Sequence, residues 1–232
     1  MVSLVQRGSR HCLSHNRHSG RRQAFLMRGL YVITPALADD PEVLHQQVKL
    51  AISGGAALIQ FRYKGANSTR RHSLAVAVQA ACKDDSIPLI INDHVDLARA
   101  LDADGLHLGQ TDGALALARA RLGQDAIIGR TCHGSEALMD EAISAGANYC
   151  AFGRLFNSNT KPEAEKLSLL ALEKLIKRCP LPVVAIGGIT KENGAQILDA
   201  GASMLAVCGA VFEATDIAQA TYELARLFEG NI

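Results

Sequence analysis

Residues 141–154 read EAISAGANYCAFGR. A helical pattern ends at Ser144-Ala145-Gly146, and a near-continuous apolar run, Tyr149 to Phe152, follows almost at once. The same joint recurs as ISGGA at 52–56 and LDAGA at 198–202. Each puts glycine where a helix must end and the next strand begin. Working outward from these joints, the strand-like runs are GLYVIT, ALIQFRYK, PLIIN, GLHLG, AIIGRT, YCAFGR, PVVAIGG and MLAVCG. Seven helical patterns separate them, and an eighth, DIAQATYELARLF, closes the chain. The runs are apolar on both parities, as strands of a parallel sheet covered by helices should be. Strict alternation of this kind predicts an α/β fold of one domain over 29–232, a (β/α)8 TIM barrel. A doubly wound open sheet is the alternative architecture.

At 232 residues the chain is long enough for one full core. Its formal charge of +1 argues against a broad nucleic-acid surface, and the lack of Trp argues against stacking platforms. No apolar run is long enough to cross a bilayer. Cysteines 12, 82, 132, 150, 179 and 208 include no C-x-x-C pair. They read as small buried hydrophobes in a reducing, cytoplasmic setting. Residues 1–28 hold six arginines and no Asp or Glu. This stretch is expected to be a disordered basic tail or an over-extended start, a transit peptide being the other reading.

Function in such a barrel belongs on the loops after the strands. Along β-strand alternation, Gln60, Arg62 and Lys64 share one face and Phe61 and Tyr63 the other. If the first face is the interior, an amide and two cations climb toward the mouth, where anions or carboxylates must meet them. The next strands deliver Asn92 and Asp93, then Asp112. Two readings of these acids stand side by side. Each could cap a following helix, or the two could hold Mg2+ together with phosphate oxygens. Thr131 and His133 end the fifth strand. A polar loop, Arg154 to Pro162, then offers Ser158, Thr160 and Lys161 as a lid over phosphates. Gly187-Gly188 and Cys208-Gly209, after the last two strands, would let backbone N–H groups approach an anion. No strand-end pair suggests an acid/base couple, and His107 and His133 read as structural.

Taken together, QFRYK, IIND, GLHLGQTD, SNTK and AIGGIT resemble the thiamine-phosphate synthase family, from Gly29 to about Leu227. The resemblance implies a Mg2+-dependent transferase of alkyl or aryl groups. It would join 4-amino-2-methyl-5-hydroxymethylpyrimidine diphosphate to a thiazole phosphate, giving thiamine phosphate and diphosphate. It further implies that Gln60 reads the pyrimidine, while Arg62, Lys64, Asn92, Thr131 and Lys161 hold its diphosphate. Asp93 and Asp112 would bind Mg2+. Ser158 and Thr160, with the backbone at Gly188, Val207 and Cys208, would hold the thiazole phosphate. Asn157 stands where the family usually has Pro, and Tyr63 where it commonly has an acid. The expected partners are small molecules, neither nucleic acid nor membrane, with a homo-oligomer allowed. Two alternatives are a thiazole tautomerase of the same barrel family and a non-catalytic barrel that senses a phosphorylated ligand.

Overall fold

The computed structural model describes residues 27–157 and 166–230. The basic stretch 1–26 lies outside them, as do Cys12, Ser158, Thr160 and Lys161. Eight strands form β1 (Gly29–Ile33), β2 (Ala56–Phe61), β3 (Leu89–Asn92), β4 (Gly105–Leu108), β5 (Ile127–His133), β6 (Tyr149–Phe152), β7 (Val183–Ile186) and β8 (Met204–Val207). They close into a barrel in chain order, with β1 parallel to both β2 and β8. Closure excludes the open-sheet alternative. Helices α1 (Pro41–Ser53), α2 (Ser68–Asp84), α3 (Val95–Ala100), α4 (Leu115–Leu122), α5 (Glu136–Ser144), α6 (Leu169–Arg178) and α7 (Gly194–Asp199) make the crossovers. After β8 comes a helix the sequence pattern did not announce, α8 (Gly209–Phe212), and then the expected closing helix α9 (Ile217–Ala225). One turn is too short for periodicity to register.

The repeated joints work as their sequence suggests. Gly55, Gly146 and Gly201 all take positive φ (+103°, +84° and +100°), the left-handed step that ends a helix cheaply only at glycine. At the middle joint the Ala147 N–H closes back on the Ala142 carbonyl at 3.0 Å, satisfying an orphan acceptor of α5. The chain then enters β6 directly.

Strand alternation divides the core in two. Outward-facing Leu30, Ile59, Phe61, Ile91 and Leu106 join the helices in the larger cluster. Inward-facing Tyr31, Leu58, Ile90, Tyr149, Val184 and Met204 pack inside the barrel. The inner layer is capped toward the mouth by buried polar groups, Gln60, Asn92 and His107 among them. Polar side chains this deep need partners, and no fully enclosed side-chain N or O lacks one among the described residues. The described cysteines are all free thiols. Cys82, Cys132 and Cys150 are buried, whereas Cys179 and Cys208 are only half-buried. No helix among the described residues is long and apolar enough to cross a membrane.

Candidate active site

The strand-to-helix loops surround a cavity of about 480 Å³ at the C-terminal mouth of the barrel. β2 ends at Phe61, earlier than its apolar run suggested, yet the backbone stays extended past it. The reason lies in β1 and the loop after it. The buried Thr34 hydroxyl accepts from the Arg62 N–H at 2.9 Å, and the Lys64 N–H donates to the Ala36 carbonyl at 2.8 Å. Alternation therefore persists. Gln60, Arg62 and Lys64 line the cavity, while Phe61 and Tyr63 pack outward against the helices.

Asn92, Asp93, Asp112 and Thr131 line the same cavity from β3, β4 and β5. Neither acid caps a helix. α3 is preceded by His94 and α4 by Ala114, and neither makes a side-chain cap. Asp93 instead sits at φ +64°, a conformation Asp tolerates better than most residues. The Lys64 ammonium donates to its Oδ2 at 2.6 Å. Asp112 Oδ2 accepts from the Gly109 N–H at 2.9 Å, which folds the loop after β4 back on itself.

The two carboxyl groups lie within hydrogen-bonding reach of each other. Burial alone would raise the Asp93 carboxyl, but the hydrogen bonds from Lys64 and Asp112 outweigh it and hold it low. Burial, followed by the adjacent Asp93, pushes Asp112 up. Like charges in contact disfavour ionisation of one member. The donor set therefore suits a cation that would relieve this repulsion. No group of three or more His, Cys, Asp or Glu is arranged to hold a metal among the described residues. A hard divalent ion at these two carboxylates would complete its shell with water and phosphate oxygens.

Across the mouth the lining is largely backbone, although Arg154 and Glu213 also line the cavity. Gly188, Val207 and Cys208 line the cavity there. The glycines answer first to packing. A Cβ on Gly187 would lie 2.4 Å from the Arg154 Cβ, and one on Gly188 would lie 2.2 Å from the Asn157 carbonyl oxygen. The loop after β6 lies directly on β7, a demand that an anion-binding reading of Gly-Gly alone misses. Asn193 holds the turn by donating to the Gly188 carbonyl at 3.0 Å and accepting from the Thr190 N–H at 2.9 Å.

Sequence reasoning also missed two phenols. Tyr31 and Tyr149 meet beneath the cavity at 2.9 Å between hydroxyls. Their inward parity on β1 and β6 was legible, but the contact across 118 residues was not. Burial, as the largest influence on each, pushes both hydroxyls above the usual tyrosine range, so both remain neutral. Both ring nitrogens of His107 are engaged, with Tyr149 at 2.9 Å and Thr131 Oγ1 at 2.8 Å.

Fold and site together define a (β/α)8 barrel whose mouth sets cations and paired carboxylates against a wall that is largely backbone. The family model for thiamine monophosphate synthase matches residues 30–211, and the chain belongs to that family. A thiamine-phosphate synthase of Nitrosococcus oceani is 47% identical over 191 residues, 82% of this chain and 88% of that one. Its counterpart in Saccharophagus degradans is 44% identical over 201 residues, 86% and 88% of the respective chains. Among solved structures, a thiamine phosphate pyrophosphorylase from Pyrococcus furiosus superposes with a TM-score of 0.80 at 31% identity. That likeness covers 90% of this chain and 100% of the other.

Proposed function

We propose that the chain condenses 4-amino-2-methyl-5-hydroxymethylpyrimidine diphosphate with a thiazole phosphate, releasing diphosphate and forming thiamine phosphate. The observation that carries this reading is the convergence of Gln60, Arg62, Lys64, Asn92 and Thr131 on one cavity with paired carboxylates. The high identity to thiamine-phosphate synthases supports it and leaves the tautomerase and sensor alternatives without support.

In this reading Gln60 faces the pyrimidine. Arg62 is placed for the diphosphate, since no hydrogen bond or ion pair holds its guanidinium among the described residues. Lys64 bridges the diphosphate and Asp93. Asp93 and Asp112 would hold Mg2+, which would supply positive charge to the departing oxygens. Lys161, Ser158 and Thr160 are proposed for the phosphates as well, from positions outside the described residues. The backbone at Gly188, Val207 and Cys208 faces the thiazole phosphate.

The chemistry needs no proton transfer. The lone pair of the thiazole nitrogen forms the new C–N bond, and the C–O electrons leave with the diphosphate. Charge grows on the leaving group as that bond breaks, and preorganised cations stabilise it more than they stabilise the ground state. The electron-rich aminopyrimidine spreads the positive charge left on its methylene, which favours a dissociative path. Holding both substrates in one cavity supplies the encounter. This accounts for a mouth without an acid/base pair. Incubating the chain with both substrates and Mg2+ should release diphosphate in step with thiamine phosphate. No release under those conditions would overturn the assignment.

A further inference from the structure

The floor of the cavity is an unbroken hydrogen-bonded relay. Gln60 Nε2 donates to the Tyr31 hydroxyl at 2.6 Å, and that hydroxyl meets the Tyr149 hydroxyl at 2.9 Å. Tyr149 meets His107 Nδ1 at 2.9 Å, and His107 Nε2 meets Thr131 Oγ1 at 2.8 Å. Tyr149 is fully buried, its ring filling the space that Gly129 leaves open. A Cβ on Gly129 would come within 1.9 Å of that ring. The Tyr149 ring also stacks on His107, with centroids 5.6 Å apart and planes at 20°, and meets Tyr31 edge-on. The relay is therefore held rigidly from both sides.

Each hydroxyl owns one proton, so with a neutral His107 the unbroken relay has two polarities. In one, the Gln60 amide donates, Tyr31 donates to Tyr149, and Tyr149 donates to His107 Nδ1. His107 is then neutral with its proton on Nε2, which it donates to Thr131. The Thr131 proton is thereby left to point at the ligand. In the other polarity Thr131 gives its proton to His107 and offers the cavity only lone pairs. The Gln60 carbonyl would then be turned onto Tyr31. With His107 neutral, an anion at Thr131 selects the first polarity, because a second acceptor facing a phosphate is repelled.

We propose that Tyr31, Tyr149 and His107 are positioning residues that couple the Thr131 hydroxyl to the orientation of the Gln60 amide. Resting on the transferase reading above, this makes anion binding at Thr131 select the Gln60 rotamer that presents its carbonyl oxygen and remaining N–H to the heterocycle. That pair matches a 4-aminopyrimidine, which offers an amine N–H beside a ring nitrogen acceptor. It mismatches the 4-oxo analogue, whose donor and acceptor are exchanged. The specificity for an aminopyrimidine would then be enforced from the far end of the relay.

The wild-type chain is assayed first with the amino substrate. Absence of product there defeats the transferase reading itself, before any variant is compared. With the wild type active, Tyr149→Phe and Tyr31→Phe should each lower the kcat/KM preference for the amino over the 4-oxo diphosphate by about 10-fold. KM for the thiazole phosphate should not move. A cycle of Gln60→Met and Thr131→Val should be non-additive by about 5-fold, and additive once Tyr149→Phe is present. A structural role alone would shift neither the preference nor the coupling. Circular-dichroism melting checks each fold, and Tyr31→Phe carries the test if Tyr149→Phe does not fold. Unchanged preference in the folded Phe variants, or coupling that survives Tyr149→Phe, overturns the proposal.

Discussion

The two ends of the barrel hold comparable charges and treat them in opposite ways. At the N-terminal end, Arg119 of α4 bonds the carbonyls of Gly123, Gln124, Ala126 and Gly146 and the Asn148 side chain, at 2.5 to 3.3 Å. Asn148 Oδ1 in turn accepts from the Ile128 N–H at 2.8 Å, and Asp104 from the Leu89 N–H at 2.9 Å. Charge there is spent on tying loops to strands. At the C-terminal end no hydrogen bond or ion pair holds the Arg62 guanidinium among the described residues, and Asp112 faces another carboxyl group. Local stability would be better served by pairing these groups or removing them. An arrangement that leaves them exposed to one cavity is explained by a ligand. The difference locates function more firmly than any single residue type does.

The comparison breaks first at Asp112. If the charged end exists for a cation and a diphosphate, Asp112→Ala should cut kcat/KM for thiamine phosphate formation by about 100-fold or more. The melting temperature should change little, because relief of the like-charge contact with Asp93 is set against loss of the Gly109 hydrogen bond. Chelating the divalent ion should silence the wild type equally, and added Mg2+ should restore it but not the variant. A stable, fully active Asp112→Ala would mean the two acids are ordinary surface groups.

The backbone wall gives the next largest effect. Gly188 sits at φ +64° with the Asn157 oxygen where a side chain would go. Gly188→Ala should push the loop after β6 away and raise KM for the thiazole phosphate by about 10-fold. KM for the pyrimidine diphosphate should move far less, since that substrate is proposed to bind on the opposite side. Equal changes in both constants would show that the mouth is not divided.

Arg119→Ala tests the other end. Losing a charged donor shared among five acceptors should lower unfolding stability by about 2 kcal/mol, read from urea titration. The kinetic constants of the folded fraction should be unchanged. A loss of kcat without loss of stability would collapse the distinction between the two ends.

Much of this was legible in the sequence, for reasons that differ by residue. The glycines at 55, 146 and 201 mark helix ends because a left-handed step has few other occupants. The facing of Gln60, Arg62 and Lys64 followed from a period of two, and it held even beyond Phe61 because Thr34 and the Ala36 carbonyl keep the backbone extended. Asp93 and Asp112 were ambiguous because capping and cation binding ask for the same side chain at the same kind of turn. The observed contacts with Lys64 and Gly109 remove the capping use and leave cation binding as the proposal. The Tyr31–Tyr149 contact was hidden for another reason. Parity says which side chains point inward, while the stagger of the closed sheet decides which of them meet at one level.

Cys208 is the smallest and most discriminating test of the backbone wall. Its thiol is half-buried at the cavity edge, just before the one-turn helix α8. Burial, its largest influence, raises the thiol, Arg62 opposes it and the Glu213 charge adds to it, so the net shift is upward. A raised thiol is mostly protonated near neutral pH and makes a poor nucleophile. If this wall works through its backbone, the side chain should be dispensable. Cys208→Ser, which keeps size and a polar hydrogen, should then leave both KM values and kcat within about twofold, a change small enough to be ordinary surface variation. Alkylating the wild-type thiol should inhibit by bulk alone, and Cys208→Ser should be immune to it. A large loss of kcat in the serine variant, with KM for the thiazole phosphate unchanged, would instead move the sulfur into the chemistry. The two ends of the barrel would still differ, but the mouth would no longer divide into a side of charged groups and a side that works through backbone.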